Sequence, residues 1–472
     1  MRADIYLGST CRVAEEYSNV FSPYDGRVVS NVAVCSKEDA LKALDIAQQS
    51  FETTKKIPLH IRVNWLLDVA QKLELQKEDM AQTITDEVGK PIQFSRVEVS
   101  RCIETIKLSA NAMMNLHGET FDTTAMPSGK DTLSFYKRIP VGVVLAITPF
   151  NFPLNLVAHK IAPALVAGNS VILKPTSSAP LTAFKFAKLF IDSEFAIKDA
   201  LSVVYSGSGV NDALVKSPIP RVISFTGSVP VGREITSKAG IKKIALELGG
   251  NAATYIDKCA DIKVAAQKCA LGAFINSGQV CISLQRIYVN EDIYDEFAIA
   301  LKEQTKVLHV GSPYDDKTFI GPMINSKAVE QAKSWIQNAQ DEGATLFFGS
   351  TCKELMFSPT IMTNVTEEMN IVCEEVFAPI VSLIKVKDFD EAKSKMNDSP
   401  YGLQYSIFSN NMSTCKHAID ELNAGGIVIN DIPTLRFDIQ PYGGFKESGI
   451  GKEGPKYALE EEYTQIKSIV IC

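Results

Sequence analysis

Four short stretches of this 472-residue chain carry side chains able to make or break bonds: Asn151 in ITPFNFP, Glu247 in LELGG, Cys281 in NSGQVCIS, and Glu375 with Phe377 in EEVFAP. A thiolate is a strong nucleophile, a carboxylate can take a proton from water, and a carboxamide can donate hydrogen bonds to an oxyanion. Singly, none identifies a site, because a lone cysteine is most often small core filler and a lone glutamate a solvated surface group. Together, each in or beside a loop, they form a set with chemical meaning.

The elements that must position them are legible in the middle of the chain. From residue 139 the pattern alternates: a β-rich run 141–147, a helix opening at Pro153 and ending near Gly168, a strand 170–173 and a helix 179–191. A strand 201–205, a short helix, a strand 221–225, a helix from about Val231 and a strand 243–248 follow. This order predicts an α/β fold with a doubly wound parallel sheet. Within 153–168, Pro153 suits the first turn, Leu154, Val157, Ile161 and Leu165 share one stripe, and Gly168 marks the stop, so one face is expected to pack on the sheet. After 248 the alternation resumes with a strand 253–256, a helix from about Asp261, a strand 286–289 and a helix from Ile293, a second α/β unit. The tail 466–472 reads as an edge strand. Left unpaired it would invite aggregation, so it is expected to pair with another subunit.

Composition bounds the rest. The length exceeds what one core usually supports, which predicts two or three domains. A net charge of −7 without a basic block argues against nucleic acid or an anionic membrane as the main partner. The longest apolar stretch, 141–147, is too short to span a bilayer, and MRADIYLGST lacks a leader's apolar run, so a cytoplasmic protein is expected. Ten cysteines without a CxxC pair and five histidines without an HxxxH spacing imply no metal.

Taken in collinear order from about residue 20 to the C-terminus, these motifs resemble the aldehyde dehydrogenase superfamily. The resemblance implies that Cys281 of GQVC is the nucleophile, Glu247 of ELGG the general base, and Asn151 of FNFP the oxyanion donor. It also implies a Rossmann-type cofactor domain (1–118 and 139–248), an α/β catalytic domain (249–455), and a small β arm for oligomerisation (119–138 and 456–472) in a homodimer or homotetramer. The chemistry explains the residue types. An aldehyde has no leaving group except hydride, so a thiolate first makes it tetrahedral and afterwards holds the acyl group as a thioester. Pre-placed donors stabilise the oxyanion by about 3 kcal/mol each. Members that pass the acyl group to coenzyme A lack the ELGG carboxylate, so Glu247 implies hydrolysis to the acid.

The same resemblance lays NAD or NADP across the middle sheet, against Thr148, Phe150, Lys174 and the FTGSVPVG stretch with Gly227, Ser228, Val231 and Gly232. That stretch is not GxGxxG, but it follows a strand and opens a helix, the context in which backbone N–H groups meet a pyrophosphate. Gly207 ends another strand on this edge and stands equally as a cofactor contact or a simple turn. Leu248 joins the set, Glu375 is implied as the nicotinamide-ribose ligand, and Phe377 as the ring beside the nicotinamide. Where NAD-restricted members carry Glu three residues after the lysine, this chain has Ser177, which removes a repulsion toward a 2′-phosphate and implies that NADP is accepted.

For the substrate, the segments 429–454 and 158–163 are most similar to lactaldehyde dehydrogenases and non-phosphorylating glyceraldehyde-3-phosphate dehydrogenases, which implies a short hydroxyaldehyde. Arg101, Phe152, His159, Ile282 and Arg436 map near the substrate tunnel. Arg101 and Arg436 stand equally as anion ligands or as structural ion-pair residues, and His159 as a substrate contact or a packed helix residue. A short anionic aldehyde (semialdehyde, sulfo- or phospho-aldehyde) is the alternative, weakened by Val280 where phospho-aldehyde relatives carry Arg. An inactive structural or binding homologue is the alternative of another class.

Overall fold

The computed structural model describes residues 2–206 and 208–472. Its larger sheet has eight strands, in the order Gly449–Ile450, Lys243–Glu247, Pro220–Thr226, Val143–Ile147, Ser170–Lys174, Leu201–Val203, Ile5–Leu7 and Thr10–Arg12. The five from Lys243–Glu247 to Leu201–Val203 are parallel, and short antiparallel strands close both sides. Along the chain the first of the five is Val143–Ile147, with later strands added on either side of it. The order therefore reverses between Val143–Ile147 and Pro220–Thr226, where an open α/β sheet presents its ligand crevice at the strands' carboxyl ends. A second sheet of seven strands runs Thr345–Phe348, Thr360–Thr363, Ile380–Val386, Leu284–Asn290, Ala252–Ile256, Gln404–Phe408 and Gly426–Ile429, all parallel except the first.

The helix after Val143–Ile147 spans Asn155–Ala167 and is capped by Gly168 in the left-handed conformation (φ 97°). It begins two residues after Pro153, and all thirteen of its residues are buried, so the expected single apolar stripe is corrected to a helix enclosed on every side. Burying its N-terminus requires a partner for the free N–H groups, and that partner lies far away in sequence. The Glu98 carboxylate accepts from the backbone N–H groups of Leu154 (2.9 Å) and Asn155 (3.1 Å) and caps the buried N-terminus, while it also pairs with the fully buried Lys90. Glu87 does the same for Pro180–Ile191, accepting from Leu181 N (2.7 Å) and Thr182 N (2.8 Å).

The expected helix from Val231 begins earlier, at Val229, with Ser228 as its N-cap. The tail forms Thr464–Ile471 and pairs antiparallel with Leu133–Pro140 of its own chain, in a three-stranded sheet with Thr120–Asp122. The expected pairing partner is thus intramolecular along one edge. Tail and arm reach each other because Asn169, after Gly168, donates to Tyr463 O (2.9 Å) and Arg138 to Glu460 O (2.8 Å). Among the described residues no helix is long and apolar enough to cross a membrane.

Candidate active site

Between the two sheets lies a cavity of about 950 Å³, lined by Thr148, Phe150, Lys174, Ser177, Gly227, Ser228, Val231, Leu248, Glu375 and Phe377, with Asn151 and Cys281 in its wall. Such a volume is at the upper end of the range for organic ligands. Thr148 to Asn151 follow directly on Val143–Ile147, and Gly227 and Ser228 on Pro220–Thr226, so the cavity opens at the switch point. The free N–H groups of the helix start at Val229 suit a diphosphate, and Lys174 ends its strand with an ammonium group whose pKa burial lowers. These residues fit a dinucleotide. Of the expected cofactor residues, Gly232 is not in the wall but lies against Leu248, where a Cβ would come 2.7 Å from a Leu248 methyl; Gly207 lies outside the described residues.

Cys281 sits in the loop between the helix Ile262–Phe274 and the strand Leu284–Asn290. The loop enters through three successive left-handed residues, Asn276 (φ 50°), Ser277 (φ 58°) and Gly278 (φ 69°), a costly conformation that neighbours must hold. They do so tightly: Ser277 Oγ donates to Gly321 O (2.8 Å), Gln279 Oε1 accepts from Ile324 N (2.9 Å), and a Cβ at Gly278 would fall 2.1 Å from Ala378 O. That last contact ties the Cys281 loop to Phe377, which itself adopts φ 49° and meets Phe150 edge-on at 6.0 Å. Burial pushes the Cys281 thiol up to about 12, and a hydrogen bond shared with Tyr442 Oη at 3.2 Å, in which either group can donate, acts against that rise.

Glu247 ends Lys243–Glu247, paired with Thr226 on one side and Gly449 on the other. One of its carboxylate oxygens, Oε2, is buried without a hydrogen-bond partner, and burial together with nearby Glu453 raises its pKa. A buried, unsatisfied carboxylate near a thiol is costly to stability and suited to proton transfer. The chain then leaves the sheet through Gly249 and Gly250. Gly250 N donates to Glu375 Oε1 (3.1 Å), and a Cβ at Gly249 would lie 2.4 Å from Glu375 Oε2, so the glycines let this carboxylate lie flat on the backbone. Burial pushes Glu375 up to about 7. Asn151 is buried, and its Oδ1 accepts from Phe152 N (3.1 Å), which turns the amide nitrogen away from that donor.

The remaining expected residues are not in the cavity wall. Phe152 and Ile282 pack around Cys281 with Val280, Leu403 and Tyr442. Beyond them, Arg101 grips Asp438 with two bonds (3.0 and 2.7 Å), and His159 Nε2 meets the same carboxylate at 3.1 Å. Arg436 ion-pairs with Asp438 (3.3 Å) and donates to Glu453 (3.0 Å), while Lys160 approaches Glu453 at 3.4 Å. Burial alone would raise both carboxyls. Contacts with His159, Arg436 and Arg101 hold Asp438 well below the usual carboxylate range, and Lys160, His159 and Arg436 bring Glu453 down to about 2. Sequence reasoning missed Tyr442, Asp438, Glu453 and Lys160. The first three lie inside the 429–454 segment it quoted, but no spacing rule marks residues that meet only in space.

A parallel sheet with a crevice at its switch point, a partly buried thiol in the cavity wall and a strand-end carboxylate fit the class of dinucleotide-dependent oxidoreductases. The Aldehyde dehydrogenase family model matches residues 12–469, and the chain belongs to that family as an NAD(P)-dependent enzyme. It is 40% identical over 468 residues to the 3-sulfolactaldehyde dehydrogenase of Priestia aryabhattai, covering 99% of this chain and 97% of that one. It is also 40% identical over 464 residues to the lactaldehyde dehydrogenase of Methanocaldococcus jannaschii, covering 97% and 98%. The NADP-dependent glyceraldehyde-3-phosphate dehydrogenase of Bacillus halodurans C-125, solved with NADP, superposes with a TM-score of 0.97 at 34% identity, covering 100% of this chain and 99% of that one.

Proposed function

We propose that this protein oxidises a short, uncharged 2-hydroxyaldehyde of the lactaldehyde or glyceraldehyde type to its acid, with Cys281, Glu247 and Asn151 as catalytic residues. Cys281 Sγ adds to the carbonyl carbon, and the oxygen takes the negative charge, received by the Asn151 amide and the Cys281 N–H. A bound NAD(P) supplies the hydride acceptor. The acyl group left on Cys281 is a thioester, Glu247 takes a proton from the attacking water, and the acid leaves as the thiol is restored. Lys174, Ser177, Gly227 and Ser228 would hold the dinucleotide, with Ser177 admitting the 2′-phosphate of NADP.

The observation that carries the substrate class is the pairing of both guanidinium groups near Cys281: Arg101 is bound to Asp438, and Arg436 to Asp438 and Glu453. An anionic substrate would have to compete with those carboxylates, whereas a hydroxyl can be received by polar groups already in place. The second reading, an anionic aldehyde, is favoured by the 40% identity to a sulfolactaldehyde dehydrogenase and by Arg101, whose side chain is 28% exposed. Lactaldehyde, glyceraldehyde, succinic semialdehyde and sulfolactaldehyde assayed with both cofactors separate the two. A kcat/KM for either anionic substrate tenfold above lactaldehyde overturns the first reading. Glu247→Gln should retain the first burst of NAD(P)H and slow steady turnover about a hundredfold; an unchanged steady rate would remove Glu247 from the mechanism.

We further propose that residues 1–118 and 139–248 act as the dinucleotide domain and 249–455 as the catalytic domain, with Gly449–Ile450 crossing back to brace the first sheet. Residues 119–138 and 456–472 would carry a homodimer or homotetramer through the outer edge of Thr464–Ile471. A thiol nucleophile suits the reducing cytoplasm.

A further inference from the structure

Tyr442 has no part in the roles above, yet its hydroxyl is 3.2 Å from Cys281 Sγ. The contact lies in an apolar shell of Val280, Ile282 and Leu403, with Phe152 and Ile275 packed against it. In such surroundings a hydrogen bond is electrostatically stronger than in water. On the other face of the tyrosine ring, the Arg436 guanidinium carbon stands 3.7 Å from the centroid. A cation over a phenol face draws electron density from the ring and makes the O–H a better donor. Arg436 cannot drift from this place, because Glu453 and Asp438 hold it on its other sides and His159 Nε2 is 3.4 Å from its Nη2.

Other charged groups facing Cys281 oppose a thiolate: Glu375 across the cavity and Glu247 at the strand end both raise the thiol's pKa, as does burial. Tyr442 and Arg436 act in the opposite sense. Tyr442 is itself held protonated by burial and by Cys281, with Arg436 working against them and Glu247 with them.

We propose that Tyr442, backed by Arg436, is a catalytic residue of this enzyme: its O–H donates to Cys281 Sγ and stabilises the thiolate that attacks the aldehyde. In the step, Cys281 S–H releases its proton to solvent and keeps the electron pair, and Tyr442 retains its own proton throughout. Arg436 thus acts on the nucleophile through the ring, as a positioning residue, and would influence every substrate, charged or not.

The proposal rests on Cys281 being the nucleophile, so the test reads the thiol without turnover. The rate of iodoacetamide alkylation at Cys281, located by peptide mass spectrometry, is followed against pH in the full-length protein. In Tyr442→Phe the midpoint should rise by about one unit and alkylation near pH 7 slow about threefold, while the alkaline plateau rises rather than falls, because a more basic thiolate is the better nucleophile. Arg436→Lys, which keeps the charge and loses the planar face, should move the midpoint the same way by less. An unchanged midpoint in Tyr442→Phe overturns the proposal, as does a loss of rate equal at every pH. A Cys281→Ala protein that still turns over would instead strike the nucleophile reading, and this proposal with it.

Discussion

The α-carbon of Gly250 packs against the carbonyl oxygen of Cys281, so closely that a methyl group there would lie 2.4 Å from the oxygen. The two residues belong to motifs far apart in sequence, and this contact makes them one surface. Gly250→Ala should push the Cys281 loop back. Because misplacing a reacting group by about 1 Å can cost roughly a hundredfold, kcat should fall by about that factor while the folded content by circular dichroism is unchanged. Full activity in Gly250→Ala would show that the loop yields freely.

Ser177 lines the cavity beside Lys174. Ser177→Glu places a carboxylate where a 2′-phosphate would bind, and the ratio of kcat/KM for NADP to that for NAD should drop about a hundredfold. Steady-state kinetics with each cofactor measure it, and a ratio that does not move places the 2′-phosphate elsewhere.

Glu98 caps Asn155–Ala167 and neutralises Lys90 in a fully buried pair. Removing one partner of a buried pair leaves an uncompensated charge, at a cost of about 3 to 5 kcal/mol. Glu98→Ala should therefore lower the urea midpoint strongly, far more than the exposed Lys42–Glu38 pair, whose loss should cost under about 1 kcal/mol.

Burial pushes Glu462 up to about 8, with Lys160 lowering it and Glu453 raising it. A carboxyl whose folded pKa lies above its unfolded value holds a proton in the native state that the unfolded chain has already lost. Stability therefore falls as pH rises from about 4.5 to about 8. Glu462→Gln removes the titration, so the decline in Tm between pH 5 and pH 8 should become shallower. An identical slope would show that other groups carry it.

Much of this protein could be read in one dimension. The order of strands and helices from 139 to 293 follows from periodicity and breakers, and the collinear motifs around Asn151, Glu247, Cys281 and Glu375 identify the family. Errors fell where distant residues intervene. The Asn155–Ala167 helix is enclosed on every side, and its buried N-terminus is satisfied by Glu98, 57 positions from Asn155. The tail is paired because Leu133–Pro140 offers a full antiparallel register to Thr464–Ile471.

By itself, the sequence determined which atoms could react: local chemistry travels with residue type, and the family resemblance supplied the order of roles. Only the tertiary structure decided what those atoms feel. Whether Arg436 is a free cation or a paired one depends on Asp438 and Glu453. The polar neighbour of the Cys281 thiol is Tyr442, 161 positions away. Electrostatic interactions fall off with distance in space, and separation along the chain does not measure it.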